Sequence, residues 1–221
     1  MSTFNELAAF KSNLIRKALN GVVLVAPYSA AALTDICAAG GALTALTGHD
    51  PLGKLTTDGL TFSGDETISE VRGWGDYSSA SRRDLDSTTS SFTFTAMQSQ
   101  VNVWEAYHNV SLASAATDAT TGTLTFDLPS VPALTDRRVL ALAQDVNKET
   151  GADIYIGVYY PRANISKNGD QTFAPGDTPV QYPMTATSLV DDAEGTGVRL
   201  FWGGPGFTGD ILTDMGVTAG A

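Results

Sequence analysis

Hydrophobic and polar residues alternate along several stretches of the chain, and this pattern predicts a mainly β protein. The clearest case is residues 90–96, where Ser and Thr alternate with Phe92 and Phe94. Such strict alternation is typical of a strand with one buried and one polar face. By composition, alternation or turn signals, further strands are predicted at 22–25, 59–63, 68–75, 122–128, 137–147, 152–160, 180–190 and 198–202.

Two segments have a helical period instead. Over residues 1–20, apolar residues such as Phe4, Leu7 and Phe10 recur at spacings close to 3.6, which predicts an N-terminal helix or arm. Its apolar face must pack on the domain or on a neighbouring subunit. Over residues 97–110, Trp104 and His108 belong to a second such series, which predicts a helix lying on the sheet.

The pattern indicates one domain with extensions at both ends. Residues 21–202 are predicted to form a single β-sandwich or barrel-type domain with a flanking helix. Within it, residues 29–58 form a long loop rich in Ala, Thr and Gly, and an arm that packs on a neighbour explains its length. The Gly-rich segment 203–221 is predicted to be a C-terminal arm.

Charge excludes several classes of function. The chain has 24 acidic and 13 basic residues, a formal net charge of -11, which argues against a protein that grips nucleic acid through its phosphates. Its one cysteine, Cys37, permits no intrachain disulfide and no Cys-rich zinc site. The sequence contains no apolar run long enough for a membrane span and no signal-peptide core, so we expect no membrane partner.

The search for an active site finds no catalytic residue, no metal site and no cofactor motif, so we expect no enzyme. The two histidines, His49 and His108, are predicted to serve turn, cap or surface roles. The Gly-rich run 203–206 lacks the Lys-Ser/Thr of a phosphate-binding loop. Acidic pairs are interpreted as solvated loop charge, and they are Asp65 with Glu66, Asp84 with Asp86, and Asp191 with Asp192 and Glu194.

Two other functions stay open at this point. A carbohydrate-binding or adhesive β-sandwich predicts an exposed Trp74 or Trp202 as a stacking platform. A hydrolase with an acid pair predicts one carboxyl group of raised pKa in a cleft. Trp104 is interpreted as a core residue, and the Arg82-Arg83 and Arg137-Arg138 doublets are predicted to meet acidic groups on a neighbour.

One ordered series of features carries a family resemblance. It begins with the run 22–27, VVLVAP, and continues with Asp58-Gly59 and an acidic stretch, a Gly-Trp-Gly turn around Trp74 and an Arg-bearing connector. A Phe-Thr-Phe strand, an aromatic helix at 103–107 and the segment ADIYIGVYYPRANI complete it. In this order the chain resembles the major tail tube proteins of long-tailed, non-contractile (siphovirus-type) phages, in particular those of actinobacteria.

The resemblance implies a structural virion protein. Such proteins fold as a β-sandwich with a flanking helix, and six copies form a ring in which the inner sheets join into one continuous barrel. Rings stack into the tube through which DNA passes into the host without specific binding. The implied partners are further copies of the chain, together with the tape measure, tail terminator and distal tail proteins. The implied locations are the virion tail and, during assembly, the host cytoplasm.

Like-sign charge on the channel wall would keep DNA off the wall, and this role is expected of acidic residues that face inward. The candidates are Asp65, Glu66, Glu70 and Glu105. Basic residues and a tail aromatic are the candidates for contacts between subunits, and they are Arg82, Arg83, Arg137, Arg138 and Phe207.

The helix-on-sheet prediction can be tested at Trp104. We expect Trp104→Ala to lower the free energy of unfolding by about 3–5 kcal/mol, the usual cost of removing a large core aromatic. Denaturant unfolding measures this loss. A loss below about 1 kcal/mol would place Trp104 at the surface.

Overall fold

The structure is a computed structural model that describes the chain except residues 1–2, 5–7, 76, 114, 132, 172, 174–175, 177–178 and 219–221. Its regular elements are mostly strands, as the alternation predicts. The strands are β1 Asn20–Pro27, β2 Asp50–Pro51, β3 Leu55–Val71, β4 Arg82–Ala96, β5 Asp136–Val146, β6 Asp153–Lys167, β7 Tyr182–Leu189 and β8 Arg199–Gly203. The helices are a 3-10 turn at Ser12–Leu14, α1 Val101–His108 and α2 Gly209–Met215.

All the strands named above pair antiparallel in one sheet, which bends over on itself. Its order is β2-β1-β5-β6-β7-β4-β3, and β8 pairs with β6 off this path. The chain passes directly from β2, on one edge, to β3, on the other, so the two ends of the sheet come together around a core. The mainly β, sandwich-like fold with a flanking helix is therefore confirmed.

The long strand β6 divides the sheet into two layers. One edge of β6 pairs with β5, while the other edge pairs with β8 along Tyr155–Tyr159 and with β7 along Arg162–Lys167. Pro161 lies between these two paired segments and opposite a bulge in the β5 ladder. Because proline has no N–H to donate, it is tolerated in a sheet at such interruptions. The sheet forks at Pro161.

The main core fills the space between the two layers. One apolar face of β1, β3, β4, β5, β6 and β7 points into it, and α1 closes it with Val103, Ala106 and Tyr107, which lie three and four residues apart on one helical face. The α1 helix ends at Asn109, whose left-handed backbone (φ 51°) is a conformation that Asn tolerates well. The helix predicted at 97–110 is thus present with shorter bounds.

A second, smaller core lies on the opposite face of β1, β5, β6 and β8. It contains Leu140, Tyr159 and Phe201, and the loop between β1 and β2 covers it with Ile36, Leu33 and Leu46. The long loop therefore packs on its own subunit through these side chains, and a contact between the loop and a neighbour stays a prediction. The loop predicted over 29–58 is shorter than expected, because residues 55–58 begin β3.

The β3–β4 hairpin is longer than the sequence predicts. The strand predicted at 59–63 lies within β3, and so do residues 68–71 of the strand predicted at 68–75, because β3 ends at Val71. Most of the polar segment 76–89, which is interpreted as a connector, is the first half of β4. Continuous pairing runs from Ser63↔Ser91 to Val71↔Arg82 with one bulge. Residues in this outer half are largely exposed, so it projects from the body as a two-stranded ribbon.

The chain termini differ from the prediction. Within the described part of residues 1–20, Phe4 and Ala8 have helical backbone, Ser12–Leu14 form a 3-10 turn and residues 15–18 have no helical structure, so the helix predicted over 1–20 does not continue to its end. Asp214 of α2 binds Lys11 and Asn13, which ties the two terminal segments together.

The strand predicted at 122–128 is reduced to one isolated bridge, Thr117↔Leu124.

The segment 203–221 is not a free arm along its whole length. A Cβ at Gly204 would lie 2.5 Å from the carbonyl oxygen of Asp153, so this close approach to β6 requires glycine. The Gly206 N–H donates to the same oxygen at 2.7 Å, and Ile211 of α2 is buried. The sequence predicts that deleting 203–221 weakens assembly and leaves the fold intact, and these contacts change that expectation.

We now expect deletion of residues 203–221 to destabilise the subunit itself. Losing one buried Ile side chain costs about 2–5 kcal/mol, which corresponds to a drop in Tm of roughly 4–20 °C for a domain of this size. Thermal unfolding followed by circular dichroism measures the drop. Deletion of residues 218–221 alone is the matched control, since it keeps Gly216 and Val217, whose N–H groups cap α2, and it should leave Tm unchanged. Equal Tm values for both truncations and the full chain would contradict the packing.

Candidate assembly surfaces

One face of the sheet is rich in hydroxyl groups. Side chains alternate between faces along a strand, so the residues between the core positions of β3, β4, β7 and β6 share the opposite face. Two cross-strand rows lie there, and they are Ser63, Ser91, Thr187 and Asn164 in the first and Thr61, Thr93, Thr185 and Ser166 in the second. We call these eight residues the hydroxyl face.

The charges beside the hydroxyl face are mostly acidic or neutralised. Asp136 is directly opposite Asn164 and forms an ion pair with Arg162 at 2.7 Å. Asp65 pairs with Thr89 and lies on the continuation of the same face along the hairpin. The face therefore presents hydroxyl groups and a carboxylate. The positive charge of Arg162 beside it is neutralised by Asp136.

Alternation separates the four acidic candidates for the channel wall. Glu66 and Glu70 share the opposite face of β3 from Asp65, since they lie at even spacing from Phe62, which pairs with the core residue Phe92. Glu70 is also neutralised by Arg83 at 3.1 Å and Arg72 at 3.0 Å. These contacts distinguish Asp65 as the candidate on the hydroxyl-face side.

Glu105 lies on α1, away from the hydroxyl face. Its carboxylate accepts a hydrogen bond from the Leu112 N–H at 2.6 Å, and its carbonyl oxygen accepts one from Arg137 at 3.2 Å. It therefore orders the chain that leaves α1. This use within the subunit gives Glu105 a structural role.

The basic candidates for contacts between subunits fall into two groups. Arg82 and Arg83 lie on the projecting hairpin with most of their side chains exposed, and each is already paired, with Asp84 and Glu70 respectively. Arg137 and Arg138 are turned into their own subunit: burial lowers the pKa of Arg137, and Arg138 is buried. Phe207 is half-buried, and its ring lies 6.3 Å from that of Trp202.

Arg138 is the centre of a buried polar network at the fork in the sheet. Its guanidinium donates to the carbonyl oxygens of Pro161 at 2.9 Å and Ala30 at 2.8 Å, and to the Asp191 carboxylate at 3.2 Å. The Tyr28 hydroxyl donates to the other oxygen of Asp191 at 3.2 Å. The network joins the start of the long loop, β6 and the turn between β7 and β8.

The pKa of Asp191 lies below its ordinary value. Burial by itself would raise it, but hydrogen bonds from the Ala193 and Glu194 N–H groups and the Tyr28 hydroxyl, with the Arg138 charge, outweigh burial. The sequence shows Asp191 only as one member of an acidic cluster. No signal in the sequence links it to Tyr28 or Arg138, which are distant along the chain.

The other chemical candidates do not converge on a reactive site. His49 is buried beside Tyr159, and burial lowers the pKa of its imidazole. The pKa of His108 is also lowered, by burial and by the nearby positive charge of Lys167. In the described part of the chain, no group of three or more His, Cys, Asp and Glu residues could hold a metal ion. Asp118 and Asp214 have lowered pKa values because hydrogen bonds stabilise their charged forms, whereas the hydrolase alternative predicts a raised one.

The three tryptophans have different environments. Trp104 packs against the main core, and its Nε1 donates to the Tyr182 hydroxyl at 3.0 Å. Trp202 is 43% exposed, and Trp74, at the hairpin tip, is fully exposed. Exposure of Trp74 and Trp202 meets the expectation of the carbohydrate-binding alternative, and it equally fits anchors of a protein interface, where tryptophan is enriched.

Comparison with known proteins bears on the choice between a carbohydrate-binding protein and a self-assembling one. The model of a family described as Phage tail tube protein matches residues 8–197 of the chain. The chain belongs to this family. A search of curated proteins finds no match.

Membership makes this tail tube protein a structural component of the phage tail, as the resemblance implies. Its family role is to assemble with copies of itself into the tube. The matched segment contains the hydroxyl face, the hairpin and the Arg138 network, and it ends before β8. No helix among the described residues is long and apolar enough to cross a membrane.

We expect Asp191→Asn to lower the free energy of unfolding by about 3–5 kcal/mol, because the substitution leaves the Arg138 charge buried without its partner. Since the folded-state pKa of Asp191 is depressed, its stabilising effect is complete above the unfolded value of about 3.9 and is lost as pH falls through the lower folded value. The difference in stability between the two proteins should therefore be constant near neutral pH and shrink below about pH 4. Denaturant unfolding across this pH range measures it, and a difference that grows toward low pH would contradict the assignment.

Proposed function

We propose that this protein is the major tail tube subunit of a long-tailed, non-contractile phage, of the kind that infects actinobacteria. Hexameric rings of the subunit stack into a tube, and the hydroxyl face lines the channel through which DNA passes. The tube ends on the tail terminator and distal tail proteins and is built around the tape measure protein, after synthesis of the subunits in the host cytoplasm. The protein itself performs no catalysis.

The observation that carries this proposal is the composition of the hydroxyl face. A channel for DNA must not hold the passing duplex, and each lysine or arginine at a phosphate would add a contact. The two rows contain Ser, Thr and Asn side chains, and the neighbouring Arg162 is neutralised by Asp136. Asp65 adds a negative charge of the sign that repels phosphate.

Open sheet edges support the ring. The β3 strand is at the end of the sheet order, and β8 ends the other branch at β6. Unpaired strand edges invite pairing with another chain. In a closed ring each such edge meets a neighbour, which removes the hazard of uncontrolled aggregation.

Electron microscopy of the purified protein at rising concentration tests the assembly. We expect rings or tubes with an open central channel. Particles that stay monomeric at every concentration, even when tail fragments are added to initiate growth, would contradict the proposed assembly. Glycan binding by such monomers would instead support the carbohydrate-binding alternative.

Cysteine accessibility tests which face lines the channel. In a Cys37→Ser background, Thr185→Cys places a thiol on the hydroxyl face, and Thr34→Cys places a matched thiol on the exposed loop that covers the opposite sheet face. In dispersed subunits both should react with a bulky polymer-linked maleimide. In tubes we expect only the Thr34→Cys variant to react with it, while a small maleimide labels both. Rapid reaction of assembled Thr185→Cys with the bulky reagent would place the hydroxyl face outside.

A further inference from the structure

The projecting half of the β3–β4 hairpin has a tip that its own subunit leaves uncovered. Trp74 is fully exposed and Tyr77 is 93% exposed. Tryptophan and tyrosine are the residues that most often dominate binding energy at protein interfaces. Large exposed aromatic side chains at the end of a ribbon therefore indicate a binding surface that the subunit itself does not cover.

The body of the subunit has an apolar cleft at the base of this hairpin. A cavity of about 550 Å³ lies between β1, β5 and the first part of β3, lined by Leu19, Gly21, Leu60, Phe62 and Ala143 among others. This volume is within the range of about 300–1,000 Å³ for sites that enclose small organic groups. We call it the base cleft.

Gly21 and Ala143, two of the residues that line the base cleft, belong to a cross-strand row of the sheet. Gly21 pairs with Ala143, Ala143 with Ile156, and Ile156 with Trp202, so these four residues form one row across β1, β5, β6 and β8. Small side chains at one end of the row leave the space open. Phe62, which lines the cleft, is 46% exposed and offers apolar surface.

The tip of the hairpin cannot reach the base cleft of its own subunit. Pairing continues from Ser63↔Ser91 to Val71↔Arg82, so the ribbon holds the tip about 26 Å beyond Ser63 at about 3.3 Å per residue. Phe62, which lines the base cleft, directly precedes this ribbon. Only another molecule can bring a hairpin tip to this cleft.

We propose that the hairpin tip of one copy, through Trp74 and Tyr77, docks in the base cleft of a second copy. Such a contact joins two different surfaces of the same chain. A head-to-tail contact of this kind closes into a ring or continues as a helical or stacked assembly. The inference rests on the proposed function, because it names the residues by which copies of the tube subunit hold one another.

The Trp74→Ala variant tests the tip. The side chain is fully exposed, so the substitution should leave Tm unchanged while the protein concentration needed for assembly rises by at least about tenfold, as for a hot-spot residue. Phe173→Ala is the matched control, because Phe173 is a 76% exposed aromatic outside the hairpin and the base cleft. Sedimentation and circular dichroism measure assembly and folding in the same samples.

Disulfide formation between two single-cysteine proteins tests the partner surface directly. In a Cys37→Ser background, Ser78→Cys, an exposed tip position that keeps both Trp74 and Tyr77, is mixed with Thr57→Cys, since Thr57 lines the base cleft. We expect a crosslinked heterodimer under mild oxidation, and much less of it when Ser78→Cys is mixed with Phe173→Cys.

The outcomes separate the inference from the proposed function. If wild-type tubes form, Trp74→Ala assembles at the same concentration and the tip–cleft pair gives no more crosslink than the control, the inference is overturned and the tube function stands. If the wild-type chain forms no tubes, the proposed function fails. The crosslink needs only two copies, so its presence or absence still decides whether the tip meets the cleft.

Discussion

The architecture depends on the interruption at Pro161 in the long strand β6. Proline cannot donate a ladder hydrogen bond, and the sheet responds on both sides: β5 bulges opposite it, and the strand on the other edge is divided into β7 and β8. The buried Arg138 guanidinium binds the carbonyl oxygen of Pro161 and the Asp191 carboxylate. One charged side chain thus satisfies the polar groups that the fork would otherwise leave buried and unpaired.

The fork has consequences for both faces of the subunit. Because β4 pairs with β7 along Ser91–Ala96 and continues past the point where β7 ends, its outer half and β3 leave the body as a ribbon. Where β4, β7 and β6 remain paired, the sheet keeps an apolar face on the core and a face of hydroxyl groups. The same interruption therefore separates a surface suited to a DNA channel from a projection suited to holding a neighbour.

For a tube, these two surfaces have opposite requirements. A channel wall works by making no lasting contact, so hydroxyl groups and repelling carboxylates suit it better than cations. A contact between subunits has to exclude water around a few anchors, so exposed aromatics suit it better than charges. The paired state of Arg82, Arg83 and Glu70 within one hairpin is consistent with this division, since their charges are already satisfied before assembly.

Local pattern by itself determined the fold class, the helix near 97–110, most strand positions and the absence of a recognisable catalytic motif, because alternation and helical period are properties of neighbouring residues. The Ser-Thr alternation around Phe92 and Phe94 also contained the signal for the hydroxyl face. Tertiary structure alone decided that the polar segment 82–89 is a strand, that the long loop covers its own subunit and that Asp65 lies on the side of β3 that continues the hydroxyl face. It also decided that Arg138, Asp191 and Tyr28 meet. These features come from pairing and burial between distant segments, and no local pattern of residues records which segments pair.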